Sequence, residues 1–406
     1  MSLKAGAGLF KGFAEVARDA AEYFRPWTYD VPLAIRPETN GRLARVQQLF
    51  HRCVRHLAEH YDRYRDLMPT SDRVAEILAL SRSKPYRPGT YRTDFIVDES
   101  NQIRLIETTC RFAMNGYFTS GFFVHNLADR YLAGRPDVRK LDAYTPFYDR
   151  FMEHFGPFDH VCLLKGADDR NDTKFVIPVF EKAGIPVHVV PAAEVPARTA
   201  EFGGAAVLGE LSHDEICALP TETVAAIVAA DSMNDLRTVF LIHDKRFFAL
   251  LTHAAFMNEA LAPAEIAELR PFLVPTYAKN LAPEIWRQAR ADKDRWILKP
   301  FNVGKSIDVF AGPLTDAAEW TALFDSGRAD RMVLQEYVPQ RRFRGTIGGQ
   351  AYRDYAAGTL LFFEDGYFGP GLFRASSYPV TNKVDDRKIA PLVTPDADRF
   401  EPDNVI

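Results

Sequence analysis

Residues 159–190 constrain the fold more than any other stretch. They read HVCLLKG, then TKFVIPVFEKAG, then IPVHVV: an apolar run, a segment with helical spacing closed by Gly184, and a second apolar run. Two strands joined through a helix pair in parallel, because the crossover returns the chain to the end from which it set out. A βαβ unit is therefore predicted, and similar alternation continues to about Phe240. The expected class is α/β with α+β elements.

Leu43, Val46, Phe50, Cys53, Leu57, Tyr61 and Tyr64 recur at steps of three and four, which predicts one long amphipathic helix in a helical N-terminal region. His56 and His60 lie four apart on it. That spacing can ligate a metal, but with no third ligand in view a solvated helix face is the plainer reading. DFIVDESNQIRLIET predicts two strands around a turn at residues 98–101. Further on, WILKPF, IDVFAG, RMVLQEYV and GTLLFFEDG are β-rich, whereas HDKRFFALLTHAAFMNEAL and TDAAEWTALF carry helical spacing. There is no fixed-period repeat and no low-complexity linker, so the units are expected to pack together.

A net charge of −4 provides no global field toward nucleic acid or an anionic membrane, so any anion site must be built locally. Cys53, Cys110, Cys162 and Cys217 are far apart and form no CxxC pair. Neither a disulfide framework nor a structural zinc site is indicated, and a reducing cytoplasm is the expected location. Charged residues interrupt the amphipathic stretch 9–24, so it lacks a signal peptide's apolar run. No segment approaches the ~20 apolar residues of a membrane helix.

Four clusters could carry chemistry. The first is Arg92, Asp94, Glu107, Thr109, Arg111 and Asn115, on and just after the hairpin. Alternation puts Arg92 with Asp94, and Glu107 with Thr109 and Arg111, on common faces. If the strands pair, Asp94 and Glu107 approach one another, and two close carboxylates favour a cation such as Mg²⁺ between them. A surface hairpin with ordinary salt bridges would look much the same. The second cluster runs from Trp296 through Lys299 to Gly304, Lys305 and Ser306, placing two ammonium groups and backbone donors around a phosphate-sized space. Its GKS is not a Walker A loop, since Lys299 stands where that motif has glycine. The third, Gln335, Glu336, Tyr337 and Val338 before Pro339, would leave strand-end backbone groups for an adenine edge. The fourth contains Arg374 near a glycine-rich turn, suited to bidentate anion binding, and Asn382.

In this order the clusters resemble the ATP-grasp synthetases of the glutathionylspermidine-synthetase type and their circularly permuted relatives. YRTDFIVDESNQIRLIETT is similar to the family's Arg-x-Asp strand, turn and Glu-x-Asn strand, with Thr109 where asparagine is usual. HDKRFFALL, RPFLVPT, WILKP, LQEYV and GLFRASSYPVTN follow in family order. The resemblance covers roughly residues 91–383, leaves the βαβ unit unmatched, and includes no cysteine-histidine amidase region. It implies an ATP-grasp-like nucleotide-binding fold with a Rossmann-like substrate domain.

The implied divisions are a helical region at 1–90, a metal-binding hairpin part at 91–158, a βαβ domain at 159–240, a nucleotide-binding region at 241–390 and a tail at 391–406. The implied activity is ADP-forming ligation of a carboxylate to an amine through an acyl-phosphate, with ATP and Mg²⁺ as cofactors. Asp94, Glu107 and Thr109 would hold the metal. Lys245, Lys299, Gly304 and Lys305, with the strand end 335–338, would hold ATP. Arg92 would stabilise the transferred charge, while Arg111, Asn115, Arg374 and Asn382 would grip substrate. A kinase of the same fold, or a nucleotide-binding protein without catalysis, are the alternatives. The expected partners are small molecules, with no nucleic acid or membrane, and a homodimer is the commonest prior for the assembly.

Overall fold

A computed structural model describes residues 15–406 apart from 115, 142–149, 152 and 169–170. Its centre is a seven-stranded antiparallel sheet. The long strand Gln350–Phe363 pairs along one edge with Gly366–Pro370 and Phe373–Ser376, and along the other with Arg342–Ile347 and Thr90–Val97. Ile103–Thr109 then pairs with Thr90–Val97, completing the hairpin expected from the sequence.

Alternation divides this sheet into two unlike faces. Tyr91, Phe95, Val97, Leu360, Phe362 and Phe373 are buried in one apolar cluster with the helix Pro37–His60. Phe95 and Phe373 meet edge to face at 5.4 Å, and a Cβ on Gly358 would lie 2.4 Å from the Phe95 ring, so this layer has no room for another carbon. His51 of the helix hydrogen-bonds Tyr91 at 2.9 Å, tying helix to sheet. The opposite face carries Arg92, Asp94, Thr359, Arg374 and Lys388, neighbours across the strands.

A second antiparallel sheet comprises Phe310–Ala311, Trp296–Pro300, Met332–Glu336 and Thr276–Tyr277. Trp296, Leu298, Met332 and Leu334 pack against Trp286 and Trp320 of the helices Pro283–Ala291 and Ala317–Asp325. Ile297, Lys299 and Gln335 alternate with these and point the other way. The predicted βαβ unit is present: His160–Lys165, helix Asn171–Lys182 and Val187–Pro191, in a four-stranded parallel sheet completed by Ala205–Glu210 and Asp231–Ser232.

Two local expectations change. The stretch with helical spacing after His243 is interrupted at His253, whose extended backbone (φ −84°, ψ 117°) separates Arg246–Thr252 from Ala254–Ala260. Residues 391–406 form part of the packed body: Pro391–Val393 pairs in parallel with Leu33–Ile35, and Ile406 exchanges backbone bonds with Ala34 and Arg36 at 2.9 Å. His56 and His60 stack at 4.7 Å, and His56 bonds Tyr64 at 2.6 Å, so the pair is held by its own helix end. Among the described residues no helix is long and apolar enough to cross a membrane.

Candidate functional site

The polar face of the central sheet lies opposite the Lys299 face of the second sheet. A β-bulge aligns them. Leu105 pairs with Phe95, but the next pair is Glu107 with Asp94, so Ile106 is an extra residue. Without it, Glu107 would share the buried face of Leu105; with it, Glu107 stands on the same side as Asp94. The bulge also turns the Ile106 carbonyl out of the ladder, where it accepts from Lys299 Nζ (3.3 Å) and Gln335 Nε2 (3.2 Å). One inserted residue thus both aims the carboxylate and bonds the two walls.

Asp94 is fully buried. Its Oδ2 accepts from Arg374, and Arg92 Nε lies 3.6 Å from Oδ1. The Asn382 amide, oriented to satisfy both neighbours, accepts from Arg374 Nη1 at 3.2 Å and donates to Asp386 at 3.0 Å. Gly116 is in the left-handed region at φ 79°, and a Cβ there would lie 2.7 Å from Arg92 Nη1, so only glycine admits this arginine position.

Across the cleft, Lys299 and Lys245 are each 5% exposed. Lys245 Nζ donates to the Val303 carbonyl at 2.9 Å and stands 3.6 Å from Glu107. Burial pulls the Lys299 ammonium down to about 8, with Glu107 opposing that shift and Lys245 adding to it. Burial also pushes Glu107 upward, but Lys245 first, then Lys299, Arg374 and Arg92, outweigh it and hold the carboxyl at about 2. Cations outnumber the acid they surround, and this asymmetry suits a polyanion.

The cleft wall contains Lys245, Lys299, Gly304, Lys305, Gln335, Glu336, Tyr337 and Val338, all eight residues expected to hold ATP, together with Glu107 and Arg374. Two backbone details shape this wall. Gly304 is not where the loop turns left-handed; Lys305, Ser306 and Asp308 take φ values of 59°, 55° and 56°. Side chains pin that costly geometry: Ser306 to the Thr381 carbonyl (2.6 Å), Lys305 to Asp168 (3.2 Å), and Asp308 to Arg328 (2.6 Å). At the strand end, the Glu336 and Tyr337 N–H groups are already bonded to the Pro275 and Arg295 carbonyls at 3.0 and 2.8 Å.

A second pocket adjoins this cleft and shares Lys305 and Arg374 with it. Arg92 and Lys388 add positive charge, Asp172 and Asp386 add acid, and Tyr23 and Trp27 form an aromatic rim. Burial raises the Asp172 carboxyl, although Thr119 and the Gly116 N–H hold it by hydrogen bonds. Sequence reasoning missed Lys388, Asp386 and Asp172. Lys388 is in register with Arg374, but only sheet order reveals this.

Two expected residues lie elsewhere, and one is not described. Arg111 follows the last strand residue, Thr109, and leaves the hairpin face. It stacks over Phe112 at 4.3 Å and pairs at 3.4 Å with Asp168, the acid that also holds Lys305. Thr109 is in register with Arg92, beyond the Asp94–Glu107 pair. Asn115 lies outside the described residues.

The expected three-ligand metal set fits only in part. Asp94 Oδ1 accepts no hydrogen bond among the described residues, yet its side chain is inaccessible and an ion reaching it would have to displace Arg374. Asp94 is therefore placed as the partner that orients two arginines. Glu107 keeps 23% of its side-chain surface, and one carboxylate with nucleotide phosphate oxygens is a usual Mg²⁺ environment.

Fold and site together define a mixed α/β protein with a cation-rich cleft between two antiparallel sheets. A family described as the AnkG N-terminal domain matches residues 47–241, which include the hairpin and the parallel sheet but none of Lys245, Lys299 and Lys305. No curated protein matches the sequence. Among solved structures, the chain is similar to a glutathione synthetase-like effector, GSS30, from Globodera pallida in its apo form. The TM-score is 0.59 at 13% identity, covering 94% of this chain and 96% of that one, a likeness of fold.

Proposed function

We propose that the cleft binds ATP and that the protein is an ADP-forming carboxylate-amine ligase of the ATP-grasp type. One observation carries this reading: two buried lysines and one carboxylate meet across the cleft beside a second pocket that shares Lys305 and Arg374 with it. A triphosphate in the cleft would neutralise Lys245 and Lys299, and Glu107 would hold Mg²⁺ against its oxygens. The ion supplies charge neutralisation to the phosphates when bound.

The remaining work belongs to the side chains. Lys299 and Lys245 fix the phosphates, and Arg374 bridges both pockets where the γ-phosphoryl group would meet an incoming carboxylate. Arg92 and Lys388 orient that carboxylate and offset the negative charge that develops during transfer. Asp94 keeps both arginines aimed. An amine then displaces phosphate from the acyl-phosphate and forms the amide. For adenine, the engaged Glu336 and Tyr337 N–H groups leave their carbonyls and the Val338 N–H as the candidate partners.

The test is ADP release by purified protein with ATP and Mg²⁺ against a matrix of amino acids, small peptides and polyamines, with mass spectrometry of the amide. ADP formation that needs both an acid and an amine supports ligation; ADP formation with an acid alone, leaving a stable phosphorylated product, marks a kinase. Nucleotide binding without turnover is the second reading. It is favoured by the mutual pairing of Asp94, Arg374 and Arg92, which gives the central wall an internal role without substrate.

A further inference from the structure

At the end of the parallel sheet farthest from the cleft, three side chains with metal-binding chemistry converge. His160 and Cys162, two apart on the strand His160–Lys165, project to the same face. His188 on the neighbouring strand is the register partner of Cys162. One ligand atom from each residue lies within 4.8 Å of those from the other two, and the imidazole rings are 4.6 Å apart. Cys162 is buried at the base, His160 is half-buried, and His188 is exposed, so the group opens to solvent on one side.

The segment Ala192–Phe202 covers this face and brings Glu201 to both rings. Its carboxylate lies 3.1 Å from His188 Nδ1, and its backbone carbonyl lies 2.9 Å from His160 Nε2. Arg198 in turn holds the Glu201 carboxylate through Nε (2.5 Å) and Nη2 (2.9 Å). Each histidine thus has one nitrogen anchored to a carboxylate or a carbonyl, the arrangement by which proteins fix the tautomer and direction of a metal-ligating imidazole. The Cys162 thiol donates to the same Glu201 carbonyl at 3.3 Å, so one backbone oxygen gathers Cys162 and His160 beside His188.

We propose that His160, Cys162 and His188 form a binding site for a borderline-soft divalent transition ion of the Zn²⁺ class, oriented by Glu201 and independent of the cleft. Two imidazoles and a thiolate select such an ion over Mg²⁺ or Ca²⁺, which prefer oxygen. Tetrahedral coordination at 2.0–2.3 Å places ligand atoms about 3.3–3.6 Å apart, so the cluster closes by roughly 1 Å on binding. The exposed His188 supplies most of that movement. The thiol loses its proton to solvent as the S–metal bond forms, and water or the Glu201 carboxylate completes the shell. The strand's C-terminal end leads to Asp168 and Lys305 at the cleft, roughly 15–20 Å away at 3.3 Å per residue.

Full-length protein titrated with Co²⁺ tests this. One equivalent should bind with a near-ultraviolet thiolate-to-cobalt band and strong visible absorption of a four-coordinate ion, and Zn²⁺ should displace it. Cys162→Ser should abolish the thiolate band. The exposed His188→Asn, which leaves the buried layer intact, should weaken binding at least about tenfold without changing nucleotide affinity. Absence of the band, or its persistence unchanged in both variants, overturns the site. Loss of binding on Glu107→Gln instead assigns the ion to the cleft and equally overturns it.

Discussion

The central-sheet wall of the cleft settles its charges internally: Asp94 lies between Arg374 and Arg92, and Asn382 links Arg374 to Asp386. The facing wall does not. Lys299 and Lys245 share Glu107, which reaches them from the other side, and the Ile106 and Val303 carbonyls supply the remaining bonds. The first wall is a framework whose charges position one another. The second carries a surplus that an incoming anion would complete. Mutual charge pairing and surplus positive charge thus reside on different walls, and substitutions should separate them.

The largest effect should come from the framework. Asp94→Asn removes the charge that compensates two guanidinium groups at a fully buried position, and breaking such a pair costs about 3–5 kcal/mol. Denaturant unfolding should show a loss of this size; a variant as stable as the parent would deny the framework role. Lys299→Met relieves the buried ammonium and should leave the fold at least as stable, yet lower ATP affinity about 10- to 100-fold, the worth of one charge-assisted bond. Calorimetric titration measures this, and unchanged affinity removes Lys299 from the nucleotide site.

Glu107 and Lys299 should each make stability rise with pH, in separate windows. The Glu107 carboxyl is held at about 2 in the folded chain against an ordinary 4.5, so its contribution to stability is present above pH 4.5 and fades as pH falls toward 2. Lys299 is depressed to about 8 against 10.5, so between those values the unfolded chain binds the extra proton and stability rises with pH. ATP affinity should fall above about pH 8, because phosphate binding needs the ammonium; Lys299→Met should flatten that fall. The smallest effect is expected at Lys305, whose side chain is 59% exposed. Lys305→Ala should change stability by no more than about 0.5 kcal/mol while raising the KM for ATP. A large loss of stability there would mean that the left-handed loop depends on the Asp168 pair.

Much of this was legible in the chain. Alternation along Thr90–Val97 set Arg92 and Asp94 on one face, and the apolar strand Trp296–Pro300 with its lysine marked a basic segment, before the partners of either were known. Arg111 was not legible in the same way, because strand alternation holds only while the chain remains in the sheet, and the chain leaves it after Thr109. Lys388 was hidden because its neighbour Arg374 belongs to another strand. The cysteine spacing gave no metal motif because the proposed ligands come from two strands joined through a helix.

Local sequence determined which residues form strands, where the hairpin and βαβ unit lie, and which types of charge occur together, because side-chain period and turn chemistry act over a few residues. Tertiary structure decided which charges meet. Leu105 and Glu107 are two apart and by alternation alone would share a face; only pairing against Thr90–Val97, with Ile106 bulged and its carbonyl bonded by Lys299 and Gln335 from some two hundred residues away, turns Glu107 into the cleft.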